Sequence, residues 1–126
     1  GVPAVAAWWK GLLYDRESRQ ASWDLVRDFS PQERLAFHRA MEREGPEAKL
    51  GKFRGWDLAR ELCEIAVRGL RRQRKTNARG EDETVYLDAV REGMLRPEKT
   101  PADLLAEKWE GELRRDRRAL LQYLGI

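Results

Sequence analysis

Few residues in this 126-residue chain have the type and spacing for covalent or acid–base chemistry. His38 is the only histidine; it stands beside Phe37 in a helical stretch, with no cysteine or second histidine at ligand spacing, and reads as a helix-surface or half-buried side chain. Cys63 is the only cysteine and lies on an apolar stripe between Leu62 and Ala66. With no polarising base indicated near it, the thiol is expected to fill core space. One cysteine also excludes an internal disulfide and a cysteine-based zinc cluster, and it fits a reducing compartment. The pairs Glu61 with Glu64 and Glu107 with Glu110 have the residue type for metal binding or acid–base work. In a chain with 37% charged residues they are expected on solvated faces instead, three or four residues from Arg or Lys. Gly51 and Gly55 flank Lys52-Phe53-Arg54 with no following Lys-Ser or Lys-Thr pair, so no phosphate-cradling loop is present. Neither a catalytic residue nor a metal ligand is expected.

Binding promise is confined to one cationic stretch, Arg68 to Arg79. Residues 47–79 hold ten basic and four acidic side chains, whereas the flanking regions are neutral or acidic and the whole chain carries only +3. Such a stretch is a solvated helix end or a contact for an acidic partner surface. A nucleic-acid footprint would also be cationic, but no groove-reading motif accompanies it, and nucleic acid is not the expected partner.

The elements that must position these residues are helical. Only 11 residues are β-branched, against 16 Leu and 14 Ala, a balance that suits helices and not strands. Pro3 to Tyr14 is apolar on nearly every side, as in helices buried on several faces. Asp15 to Asp28 carries Ala21, Ser22, Leu25, Val26 and Phe29 on one stripe. Ser30-Pro31-Gln32-Glu33 supplies a hydroxyl cap, Pro at the first helical position and a carboxylate three residues after the cap; the helix it starts should turn Ala36, Phe37, Ala40 and Met41 inward and end at Gly45-Pro46. Residues 46–55 read as a loop. Trp56, Ala59, Leu62, Cys63, Ala66, Val67 and Leu70 define a central helix running out through Arg71, Arg72, Arg74 and Lys75. A shorter helix follows Thr84 and ends near Gly93. Thr100-Pro101-Ala102-Asp103 launches the last one through Leu104, Leu105, Trp109 and Leu113, with a break or exposed segment expected at Arg114-Arg115-Asp116-Arg117-Arg118.

The expected fold class is therefore all-α, about five to six helices in a compact orthogonal bundle forming one domain over residues 1–126. No run of about 18 apolar residues exists to span a membrane, and no leader pattern is evident. A cytoplasmic protein is expected. The chain opens Gly1-Val2-Pro3 without an initiator Met, which together with its all-round apolar first helix fits a segment of a longer protein.

The segments together resemble a family. Pro3-Ala4, followed by Trp8-Trp9-Lys10-Gly11-Leu12-Leu13-Tyr14-Asp15, is similar to the Leu-Pro-Ala-aromatic and Gly-Leu-Leu-Tyr-Asp stretch of glutamate–cysteine ligases of the plant and proteobacterial type. Gly69-Leu70-Arg71-Arg72, Asp82-Glu83-Thr84 with Tyr86-Leu87, Thr100-Pro101-Ala102 with Leu104-Leu105, and Gly111-Glu112 follow in the family's order. The resemblance covers residues 2 to about 113. Leu113 departs from it, the family often having Trp after Gly-Glu, and the tail from 114 to 126 has no counterpart.

The resemblance implies an enzyme that joins the γ-carboxylate of glutamate to the amine of cysteine with ATP and magnesium, the first step of glutathione synthesis. Its nucleotide, metal and glutamate sites would lie on an antiparallel sheet that precedes this region. The present chain would then be the C-terminal helical part of a larger α+β enzyme, packed on the catalytic part of the same protein through residues 1–14. Trp8, Trp9, Leu12 and Leu13 are the expected interface. Arg71 and Arg72 are the positions to watch, because paired guanidinium groups can reach a phosphate or carboxylate; as plain structure they would cap the central helix or bridge to the sheet. The alternative is a free-standing helical binding module that uses residues 68–79 on an acidic protein or nucleic acid.

Overall fold

Capping residues fix most of the helix starts in the computed structural model, which describes residues 2–126. Asp15 accepts from the Ser18 backbone N–H and starts α2 (Arg16–Val26) directly after α1 (Val2–Leu13). Ser30 and Glu33 form a reciprocal capping box at the head of α3 (Pro31–Glu44), and Thr100 with Asp103 does the same for α6 (Pro101–Glu110). The central helix α4 spans Gly55–Gln73 and stops where Arg74 turns left-handed at φ 51°. After α4 come α5 (Val85–Val90) and, past Arg115, α7 (Arg117–Tyr123).

The stretch read as a loop contains a small hairpin, β1 (Lys49–Leu50) and β2 (Phe53–Arg54), antiparallel with Leu50 opposite Phe53. Gly51 makes the two-residue turn possible with φ 57°. A Cβ there would also come within 2.7 Å of the Phe29 ring, which packs edge-on against Phe53. Short length and a small buried area hide such a hairpin from periodicity.

The helix count is corrected from five or six to seven. The extra one comes from the tail, where Arg114 and Arg115 both take positive φ (48° and 60°) and split the final stripe into α6 and α7. Another local departure is that α5 continues through Arg91–Leu95 as a π-turn, with Arg96 N–H donating to the Arg91 carbonyl at 3.1 Å.

The core is built from α1, α2, α4 and α5. Its centre is Leu12, Cys63, Ala66, Val67, Leu70 and Leu87. By contrast α3, α6 and α7 bury no residue fully; Phe37, Ala40 and Met41 are half-buried as the stripe required, but Ala36 is exposed. The chain exposes 9114 Å², whereas a compact monomer of 14.7 kDa is expected to expose about 6900 Å². Part of that excess lies on α6 and α7, which stand away from the core.

Candidate functional site

Arg71 and Arg72 separate in the fold. Nε and Nη2 of Arg72 donate to Asp15 Oδ2 at 3.0 and 2.6 Å, and Nη2 also donates to Ser18 Oγ at 3.0 Å. Ser18 is almost wholly buried and its hydroxyl donates to the Ile65 carbonyl at 3.1 Å. Arg72 therefore ties the N-terminus of α2 to the end of α4, and this is a bridging role within the helical region. The Arg72 guanidinium holds the Asp15 carboxyl down to about 2. Arg71 is exposed and makes no side-chain hydrogen bond or ion pair among the described residues; its charge helps to lower the Asp82 carboxyl, after the hydrogen bonds from Thr84. Of the two guanidinium groups, only that of Arg71 is left free to meet a ligand.

The first helix is placed by glycines. Its Gly11 lies so close to α4 that a Cβ would come 2.3 Å from the Ala66 carbonyl oxygen, and a Cβ on Gly69 would come 2.1 Å from the Gly11 carbonyl oxygen. Small residues at the crossing let the two backbones approach. Lys10 and Glu83, paired at 2.6 Å, then fasten α1 to the segment before α5.

This close crossing decides which of the four expected interface residues are available. Leu12 is largely buried in the core cluster, and its remaining surface lines the groove between α1 and Trp23. Trp8 is half-buried against the same cluster. Trp9 and Leu13 stay exposed on the outer face, with Val2 and Val5 in line. Trp23 of α2, outside the stripe read for that helix, stands across a groove from them. Its one available signal was an exposed tryptophan off the apolar stripe of an amphipathic helix.

The remaining candidates occupy ordinary positions. His38 is exposed, 3.7 Å from Glu42. Cys63 is fully buried, and burial pushes its thiol up to about 11, the nearby Glu64 adding to the effect. Glu64 pairs with Arg91 at 2.8 Å and Glu107 with Lys99 at 2.6 Å, while Glu110 pairs with Arg115. Among the described residues no group of three His, Cys, Asp or Glu side chains is placed to hold a metal ion, and no helix is long and apolar enough to cross a membrane.

Sequence reading missed an ion-pair cluster. Glu98 accepts from Arg54 at 2.7 and 3.1 Å and from Arg60, whose Nε donates to the Leu95 carbonyl at 3.0 Å. Asp57 and Glu47 complete the cluster on Arg54. The partners are up to 44 residues apart, so no local spacing reveals them. Three carboxylates surround two guanidiniums, and the cluster is thus saturated and net negative, a fastening for the chain between the π-turn and α6.

No protein-family model matches the chain. Curated proteins do: it is 35% identical over 109 residues to the chloroplastic glutamate–cysteine ligase of Arabidopsis thaliana, 33% over 109 residues to that of Brassica juncea, and 32% over 110 residues to glutamate–cysteine ligase A of Oryza sativa subsp. indica. These matches take in 85 to 86% of the chain and 20 to 21% of each relative. The chain spans about a fifth of the length of the plant glutamate–cysteine ligases that it matches, and over nearly all of its own length it is a relative of that fifth.

Proposed function

We propose that the chain is the C-terminal helical region of an ATP-dependent glutamate–cysteine ligase, supporting the catalytic sheet of the same protein and performing no chemistry itself. The observation that carries this reading is the match to one fifth of several ligases at 32 to 35% identity. The free surface supports it: a region built to lie against the rest of an enzyme would, alone, expose more area than a compact monomer. ATP, magnesium, glutamate and cysteine are assigned to the part of the enzyme outside these residues. The donors here do not suit them, since the carboxylates are mostly paired with cations and no glycine-rich phosphate loop is present. Of the Arg71–Arg72 pair, Arg71 is the one that would reach a charged group of that part. We assign the enzyme to the cytoplasm, in keeping with a free thiol at Cys63; the plant relatives are chloroplastic by name.

The test is turnover. The purified 126 residues with ATP, magnesium, glutamate and cysteine should give no γ-glutamylcysteine, and the longer polypeptide that contains them should give it. Product from the 126 residues alone, or none from the longer polypeptide, defeats the reading. A second reading, a helical module binding an acidic surface, is favoured by one observation: Arg68, Arg71, Arg74, Lys75 and Arg79 have no ion-pair partner within the described residues, while Arg72 is taken by Asp15.

A further inference from the structure

The outer face of α1 is an apolar ridge with a groove on either side. Val2, Val5, Trp9 and Leu13 recur at steps of three and four, which puts them on one face, and they are 82, 60, 56 and 49% exposed. A groove of about 530 Å³ separates the ridge from Trp23, Val26 and Leu62, and another of about 380 Å³ separates it from Val90 and Met94. Among the residues lining the two grooves only Arg19 and Ser22 are polar. Arg19 is already engaged, donating to the Leu13 carbonyl at 2.8 Å. Contiguous apolar surface of this kind marks an interaction site.

We infer that this ridge and its two grooves form a docking seam for an uncharged, apolar face of the same polypeptide outside these residues, an inference that rests on the ligase-region reading. Three observations select that occupant. Apart from Arg19 at one edge, the seam offers no charge to a charged or polar partner. The relatives are about five times as long as the matched segment, so ample chain exists to cover it. The ridge and its grooves run the length of α1, from Val2 to Leu13, and a face this long and apolar suits permanent contact within one chain. A second copy is the competing occupant, since a two-fold contact could seat each ridge in the other copy's groove, and the test below tells the two apart. In the seam Trp9 is the anchor, with apolar side chains of the facing element entering the groove on each side of it.

Thiol labelling tests the seam directly. Val5→Cys and Leu13→Cys are introduced singly into the longer polypeptide, with Glu44→Cys, on the exposed side of α3, as the reference; Cys63 is buried and silent. A water-soluble maleimide should modify the two seam positions at least about tenfold more slowly than the reference, because thiol reactivity requires access. Equal rates overturn the inference, as does a reading frame that begins at residue 1, which removes the occupant. Protection that disappears on dilution also overturns it, since that would mean a second copy. Ligase turnover by the same unlabelled proteins separates the two claims: an inactive protein with protected cysteines sinks the ligase reading, and an active one with reactive cysteines sinks the seam.

Discussion

Replacing Gly69 with Ala tests the crossing on which the helical core depends. The added Cβ would lie 2.1 Å from the Gly11 carbonyl oxygen and 2.5 Å from Ser18 Oγ, against an ordinary contact of 3.4–4 Å. Since the Gly11 oxygen is backbone, it cannot swing aside, and α1 must retreat by about 1.3 Å at that point. Overpacking against backbone costs about 3 kcal/mol. Displacing Ser18 from the Ile65 carbonyl forfeits about 1 kcal/mol more, and the better helix propensity of Ala returns about 1 kcal/mol. The net loss is about 3 kcal/mol. An unfolding entropy of about 2.1 cal/mol/K per residue over this length converts that to a fall in Tm of about 11 °C. The measurement is thermal unfolding followed by helical circular dichroism, with Gly93→Ala alongside. A Cβ at Gly93 meets nothing within 4 Å, so that variant should melt no lower than the parent and up to about 4 °C higher, from the helix propensity of Ala. If Gly69→Ala stays within about 2 °C of the parent, the helices do not cross this closely and the placement of the α1 ridge loses its basis.

Four further outcomes are expected. Asp15 is held at about 2 in the fold against an ordinary 3.8, so the stability it contributes is present above pH 3.8 and is lost as pH falls towards 2. Arg72→Ala should therefore give a flatter dependence of Tm on pH over that interval, and an unchanged slope would show that the bridge is not formed. Cys63, with its thiol raised to about 11, should resist a thiol reagent at mildly alkaline pH until the chain unfolds; rapid reaction of the native protein counts against its burial. Glu98→Gln removes the carboxylate shared by Arg54 and Arg60, and should open the chain between Leu95 and Pro101 to proteolysis with a change in Tm below about 2 °C, because α6 and α7 bury no residue. If the cationic end of α4 is itself a docking site, Arg71→Ala with Arg74→Ala and Lys75→Ala should abolish binding to an acidic protein that weakens steeply with salt, and salt-insensitive binding would dismiss it.

What was legible in the sequence was local. Ser30-Pro31 and Thr100-Pro101 announce their helices because a cap is chemistry within four residues, and the stripe from Trp56 to Leu70 announces α4 because burial on one face repeats at the helical period. The positions that decide function depended on pairs distant in sequence. Whether Arg72 meets a ligand or a structural carboxylate turns on Asp15, 57 residues away. Likewise Leu12 and Leu13 are equally apolar neighbours, and only the approach of Gly11 to Ala66 makes one of them core and the other surface. The close crossing of α1 and α4 therefore does two things at once. It turns Ala4 and Ala7 into the region's own core, and by the helical period it turns Val2, Val5, Trp9 and Leu13 to the opposite side, with Leu12 buried between the two. A helix apolar on all sides can be satisfied only if both sides are covered, and α4 covers one. The other side is the face that docking at the proposed seam would cover.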